Sequence, residues 1–280
     1  MSTTLSTAFV ASFDSEIKQA YQDKGKLRDR VRVKMGVRGS THRFNLLGKG
    51  MATKRIPQTD IIPMGLVHSN QTATLEDWNA AEYTDIFDEP KTTVNERAEL
   101  ASSVASAISR REDQLIIDAL VAASTALTVA SSIGGTQTSL NLTKLRRAKR
   151  LLGDGGVSED EELTYAGSYH SQEGLLGETQ ATSSDYNGVR ALVNGEIHTF
   201  MGMAFRWIAT RAEGGLDLTS NERMNFCFAR SAIGLAEGIS ARTEVNYIPT
   251  KTSWLANGIF SAGSVDIEAA GIVELLTWEA

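Results

Sequence analysis

The sequence predicts an α+β fold on three observations. From Asn95 the chain holds no glycine or proline until Gly134 and spaces its apolar residues by three and four, as a long helix does. The tail from Glu244 alternates apolar and polar residues, as strands do. Between them and the N-terminus, residues 27 to 72 are cationic and short of core side chains. The order is arm, long loop, long helix, mixed middle and β tail, with no internal repeat. The 280 residues are 41% hydrophobic and 22% charged, ample for one large core or two smaller ones. No apolar run approaches the roughly 20 residues that cross a bilayer. MSTTLSTAF lacks the basic-then-apolar order of a signal peptide. A soluble chain made and used in cytoplasm is expected, with no membrane partner.

Phe9, Phe13, Ile17 and Tyr21 recur every four residues, so 7 to 22 is expected to be an amphipathic helix ending near Gly25. From Leu27 the period becomes two: Arg28, Arg30, Arg32 and Lys34 alternate with Val31, Val33 and Met35, a strand with one cationic face. GVRGSTHRFNLLGKGMATKR, residues 36 to 55, holds five Lys and Arg, four glycines and no acid. Thr41, Arg43 and Asn45 alternate there with His42, Phe44 and Leu46, and LGKG offers a turn. With few anchors up to Ser69, this is expected to be a long hairpin or loop that projects and lies on something.

An acidic extended stretch, 76 to 89, precedes the long helix. Asn95 is its expected N-cap, with Glu96 and Glu99 in the first turn. Leu100, Val104, Ile108, Arg111, Leu115, Ala119 and Ala122 mark its stripe, and thirty residues would give roughly 45 Å. SSIGGTQTS breaks the chain before KLRRAKRLL, a helix with Thr143 as expected cap and Gly153 as stop. Residues 154 to 199 are expected to be loop-rich and acidic. FMGMAFRWI and MNFCFA are expected buried strands, and the tail several antiparallel strands closing a sheet.

Catalytic, metal and cofactor motifs fail one by one. A phosphate loop ending in Gly48-Lys49 needs glycine at 43 and Ser or Thr at 50, where Arg43 and Gly50 stand. His42, His68, His170 and His198 have no metal-ligand spacing and are expected on surface or loops. DGGVSEDEE places Gly156 and Ser158 where a calcium loop wants oxygen ligands from carboxylates or amides. No serine has the glycine spacing of a nucleophile elbow. Glu112 and Asp113 are adjacent on a helix and point apart, so ion pairs within the helix or between subunits are expected. Cys227, in NFCFA, is expected to act as a small buried hydrophobe. No catalytic, metal or cofactor residue is assigned, and the chain is not expected to be an enzyme.

Charge is uneven. The first 57 residues carry twelve Lys and Arg against four acids, a net of +8, leaving −14 for the rest of a chain whose total is −6. A basic element of one chain meeting an acidic element of another would use this asymmetry. Nucleic-acid recognition fits less well, since the pI is about 5.4, only Phe44 and Tyr21 are aromatic near the cations, and no recognised module is present.

Three stretches in this order carry a resemblance: RVRVKMGVRGSTHRFNLLGKGMATKR, ASAISRREDQLIIDALVAA and SSDYNGVRALVNGEIHTFMGMAFRWIATR. Together they resemble the extended loop, spine helix and axial domain of tailed-bacteriophage major capsid proteins, the Hong Kong 97-type fold, over nearly the whole chain. The resemblance implies an N-terminal arm at 1–26, an extended loop at 27–72, and a peripheral domain at 73–135 and 236–280 with its spine helix near 95–130. An axial domain would take 136–235. It implies self-assembly, as hexamers and pentamers, into an icosahedral head shell around double-stranded DNA, placed in the virion and assembled in host bacterial cytoplasm. Arg38, Arg43, Lys49, Lys54 and Arg55 would meet Glu76, Asp77, Glu82, Asp85, Asp88 and Glu89 of the next chain, with Gly36, Gly39, Gly48 and Gly50 as loop hinges. A separate scaffolding protein is expected because only about 25 residues precede the loop. A portal protein, an optional decoration protein and nonspecific contact with packaged DNA complete the implied partners. Two alternatives are an encapsulin nanocompartment shell, which shares the fold, and a soluble α/β enzyme with an unrecognised pocket.

Overall fold

The computed structural model of the chain describes residues 24–87, 96–123, 127–178 and 199–279. The expected helix at 7 to 22 and the Asn95 cap lie outside these residues. Residues Arg28–Arg30 form a short 3-10 turn before β1 (Arg32–Lys34). Strands β2 (Thr41–Leu47) and β3 (His68–Thr74) form a hairpin, followed by β4 (Glu76–Asp85) and helix α1 (Glu96–Ala123). After β5 (Thr128–Val129) come α2 (Leu142–Asp154), β6 (Leu163–Ser168) and α3 (Tyr169–Leu176). Then follow β7 (Thr199–Phe200), β8 (Met203–Ile208), β9 (Leu218–Thr219) and β10 (Glu222–Ala229). Long strands β11 (Ile233–Ile248) and β12 (Ser253–Asp266) precede β13 (Ile272–Trp278).

The strands form two main sheets. One has the order β1-β11-β12-β4, with β1 parallel to β11 and the other pairs antiparallel. The other has the order β5-β13-β10-β6-β8-β7, with β9 paired to β10. The tail therefore does not close a single sheet: β11 and β12 belong to the first and β13 to the second. Apolar alternation alone does not distinguish these outcomes, because register pairs residues far apart in sequence.

Helix α1 has 28 residues, about 42 Å at the standard rise. Its N-terminal half buries one stripe, Val104 and Ile108, against β12, where a Cβ on Gly258 would stand 2.7 Å from Val104. Its C-terminal half buries Leu115, Ile116, Ile117 and Leu120 in a core shared with Leu235 and Phe260 of the first sheet and Phe226 and Phe228 of the second. Sheets on two sides widen the stripe there, although Ala122 is exposed. A second core joins Leu145, Ala148 and Leu152 of α2 to Tyr165, Phe205, Cys227 and Val273.

Local expectations are corrected in four places. The cationic strand starts at Arg32, because Leu27 and Val31, four apart and fully buried, impose a turn between them. The cap of α2 is Asn141, whose side chain accepts from the Lys144 N–H at 2.8 Å, and the helix passes Gly153 to end at Gly155. Within 154 to 199, β6 is a buried strand and α3 follows it; residues 179–198 lie outside the described set. Lys144, expected only as part of a basic helix, is fully buried. Its ammonium donates to the carbonyls of Thr138 at 2.6 Å and of Ser139 and Leu276 at 3.1 Å. Burial lowers its pKa to about 8, which leaves it charged at neutral pH.

Candidate assembly surface

The β2–β3 hairpin is packed at its root and largely exposed beyond it. In β2 only Phe44 is buried, by the period of two that turns Arg43 and Asn45 outward. The root rests on three glycines of β11 and β12. A Cβ on Gly234 would come within 2.7 Å of the Phe44 ring, one on Gly238 within 2.7 Å of Leu75, and one on Gly263 would overlap the Thr74 carbonyl. Phe44, Ala73, Ala236 and Ile267 form a small core there. Backbone bonds from Val37 N–H to the Glu237 carbonyl at 2.9 Å and from Leu75 N–H to the Ser40 carbonyl at 2.8 Å complete the seat.

The four expected hinge glycines do two different things. Gly36 and Gly39 have φ of +68° and +106° and open space around them, the left-handed backbone that other residues resist. Gly48 and Gly50 lie where the arms of the loop approach each other: an added Cβ would meet the Val67 carbonyl at 3.0 Å or the Leu66 side chain at 2.6 Å.

Arg38, Arg43, Lys54 and Arg55 are all exposed, and among the described residues none of them has a carboxylate partner. Lys49 reaches back to its own subunit, its Nζ donating to the Gly155 carbonyl at 2.8 Å beyond the end of α2. Glu76, Asp77, Glu82 and Asp85 are exposed along β4. The strand period sends Glu76 and Glu82 to one face and Asp77 and Asp85 to the other, so they do not form a single acidic face. Asp88 and Glu89 lie outside the described residues. The chain thus brings none of the described acids onto the loop cations within one subunit.

Burial picks out different charges. Arg28 Nε stands 2.8 Å from Glu237 Oε1 and 2.9 Å from Glu112 Oε1. Both carboxylates are buried, and burial raises the Glu112 pKa to about 7, opposed by the nearby Arg28 and reinforced by Glu237. Asp113 is fully buried, accepts from the Lys26 N–H at 2.9 Å and the Leu27 N–H at 3.0 Å, and pairs with Arg211 at 2.9 Å. The pairs of Glu112 and Asp113 are therefore tertiary contacts within one chain, neither intrahelical nor between subunits. They tie the residues after the N-terminal segment to α1, β11 and the loop before β9. The signal was in the stripe: Glu112 sits four residues from both Ile108 and Ile116. Cys227 is buried as expected.

The sequence profile of the phage capsid protein family matches residues 5–279, and the chain belongs to that family. Solved capsids share its fold. The capsid of cyanophage P-SCSP1u superposes with a TM-score of 0.75 at 15% identity, covering 100% of this chain and 96% of that one. The head of Helicobacter pylori bacteriophage KHP40 gives 0.74 at 11% identity, covering 95% of each chain. Mycobacterium phage Bobi gives 0.70 at 10%, covering 99% and 98%. No curated protein matches by sequence. The fold is the α+β, Hong Kong 97-type capsid fold, and the chain is a major capsid protein, a structural component of the bacteriophage head shell.

Proposed function

We propose that this chain closes the head shell by laying its hairpin across a neighbouring copy. The observation that carries this is the contrast along the hairpin: its root is packed on β11 and β12, while its outer twenty residues, 48 to 67, are almost wholly exposed. On this reading Arg38, Arg43, Lys54 and Arg55 orient the loop against Glu76, Asp77, Glu82, Asp85, Asp88 and Glu89 of the next subunit, and Lys49 exchanges its own Gly155 carbonyl for such a partner. Each exposed pair contributes only about 0 to 1 kcal/mol, but a shell repeats the contact many times. Gly36 and Gly39 let the root bend, and Gly48 and Gly50 let the arms stay close.

Sheet membership supports a peripheral part built on α1, β4, β11 and β12 and an axial part built on the second sheet, with β5 and β13 joining the axial strands. Residues 27–34 then belong to the body rather than to the extended loop, since β1 pairs with β11. Hexamers and pentamers, a separate scaffolding protein, a portal, an optional decoration protein and nonspecific contact with packaged double-stranded DNA follow from the family role, as do assembly in host cytoplasm and the lack of an enzymatic step. The family match favours a head shell over a nanocompartment. Electron microscopy of the purified protein with a candidate scaffolding protein tests this. Hollow shells or rings from the native chain, and their loss in Lys54→Glu/Arg55→Glu, are expected. Normal shells from that variant would count against the charged contact, and a uniform monomer or dimer throughout would count against self-assembly by this route.

A further inference from the structure

A groove on the body, between α1 and the outer half of β11, is apolar and uncovered. Helix α1 lies over β12, where Gly258 faces Val104 and Ile108. Register puts Thr243, Val245 and Tyr247 of β11 opposite Gly258, Ala256 and Trp254. Cross-strand partners point to the same face, so these three lie on the side of the sheet that carries α1. Val245 is nevertheless 41% exposed and Tyr247 40%. The two flanks of α1 show why. Arg111, 3.5 Å from the centre of the Trp78 ring, marks the flank toward β4, and Glu112, joined through Arg28 to Glu237, marks the flank toward β11. Ala105 stands two turns before Glu112 on that second flank and is exposed. The groove thus has β11 as its floor and α1 as its wall.

The chain itself enters this groove at its inner end. Gly25 donates its N–H to Ser109 Oγ at 3.2 Å, and a Cβ on Gly25 would stand 2.6 Å from the Ser109 carbonyl, so residue 25 lies against the α1 backbone one turn from Ala105. The residues before it, outside the described set, carry Phe9, Phe13, Ile17 and Tyr21 at intervals of four, the spacing of one helical stripe. As a helix, residues 7 to 22 would span about 24 Å, against about 20 Å of α1 from Glu96 to Ser109. We propose that residues 7 to 22 dock as an amphipathic helix in the groove of their own chain, with Tyr21 beside Ala105 and with Ile17 and Phe13 over Val245 and Tyr247. Tyr21 is tethered to Gly25 through a very short link, which gives this segment a far higher effective concentration at the groove than the same segment of another copy. Docking covers two apolar surfaces at once, the stripe of the segment and the floor of the groove.

The unassembled full-length chain tests this, whatever the hairpin does in a shell. Cys227 is buried, so an engineered pair of cysteines reports alone. Ile17→Cys/Val245→Cys and Phe13→Cys/Tyr247→Cys sample two levels of the groove. Under mild oxidation at low protein concentration, at least one pair should close a disulfide within a single chain, seen as monomer mass on a non-reducing gel. Trypsin should cut after Lys18 roughly tenfold faster in Ala105→Glu/Val245→Glu than in the native chain, because cleavage follows the population of the undocked segment. Both substituted sites are exposed, so thermal melts of that variant should stay cooperative. A disulfide that joins two chains would assign the groove to a second copy and overturn the proposal. Failure of both cysteine pairs to close would overturn it, and so would equal cleavage at Lys18 in the two chains.

Discussion

One guanidinium serves two buried carboxylates at Arg28, and it cannot neutralise both. Burial is what chiefly raises the Glu112 pKa, and because Glu237 holds the closer, two-nitrogen contact, with Nε and Nη2 of Arg28 at 2.8 and 3.1 Å, Arg28 offsets that rise only in part. Asp113 adds a further negative charge nearby, although its own partner is Arg211. The Glu112 pKa rises from the ordinary 4.5 to about 7 in the folded chain. The folded state therefore holds a proton that the unfolded chain has released, and the stability that goes with it is full below about 4.5 and lost as pH climbs through 7. Glu112→Gln keeps the uncharged shape at every pH. Its melting temperature should exceed that of the native chain at pH 8, match it at pH 5, and flatten the profile between. The difference has an upper bound of about 3 kcal/mol. An unchanged slope in thermal melts from pH 5 to 8 would remove Glu112 as the titrating group.

Among the elements, the packing of the hairpin root rests on absent side chains at three places. Gly234 faces the Phe44 ring, so Gly234→Leu would push Phe44 out of its seat and cost about 1 to 3 kcal/mol by overpacking. The expected result is a folded chain whose hairpin is cut readily by protease, read as faster cleavage within 48 to 67 beside a modest fall in melting temperature. Resistance equal to the native chain would show that the seat tolerates the larger side chain. This seat was not legible in the sequence, where Gly234, Gly238 and Gly263 are scattered glycines in strands and become a surface only once β11 and β12 pair. By contrast α1 and the hairpin strand β2 were legible because each is written in a local period of 3.6 or 2, and β8 and β10 because each is a short apolar run. The exposed cations of the loop were legible for the same reason, as residues turned outward from Phe44. The apolar tip was present in the sequence as IPQTDIIPMGLV, but only the distance of those residues from any core marks them as uncovered. Arg28 was assigned to a cationic face because alternation reports direction along a strand, and nothing local says that the chain turns there.

For the molecule as a whole, α1 is the shared wall: the first sheet packs along its length, and the second sheet joins it only at its C-terminal half. The outer part of the hairpin stands apart from both cores, so a chain alone is a folded body with one uncovered limb; on the proposed reading a neighbouring copy covers it. One quiet feature of the second core gains practical weight from this division. Cys227 is fully buried beside Met203, and burial pushes its thiol up to about 12. At neutral pH almost none of it is the reactive thiolate, and reagents cannot reach it. The native chain is therefore chemically silent toward maleimides, and Ala52→Cys, at an exposed position of the tip, should take up one label per chain while folded and two after denaturation. A single engineered atom of sulfur would then turn each subunit into an addressable point, and loss of that labelling on assembly would report that the outer hairpin has been covered.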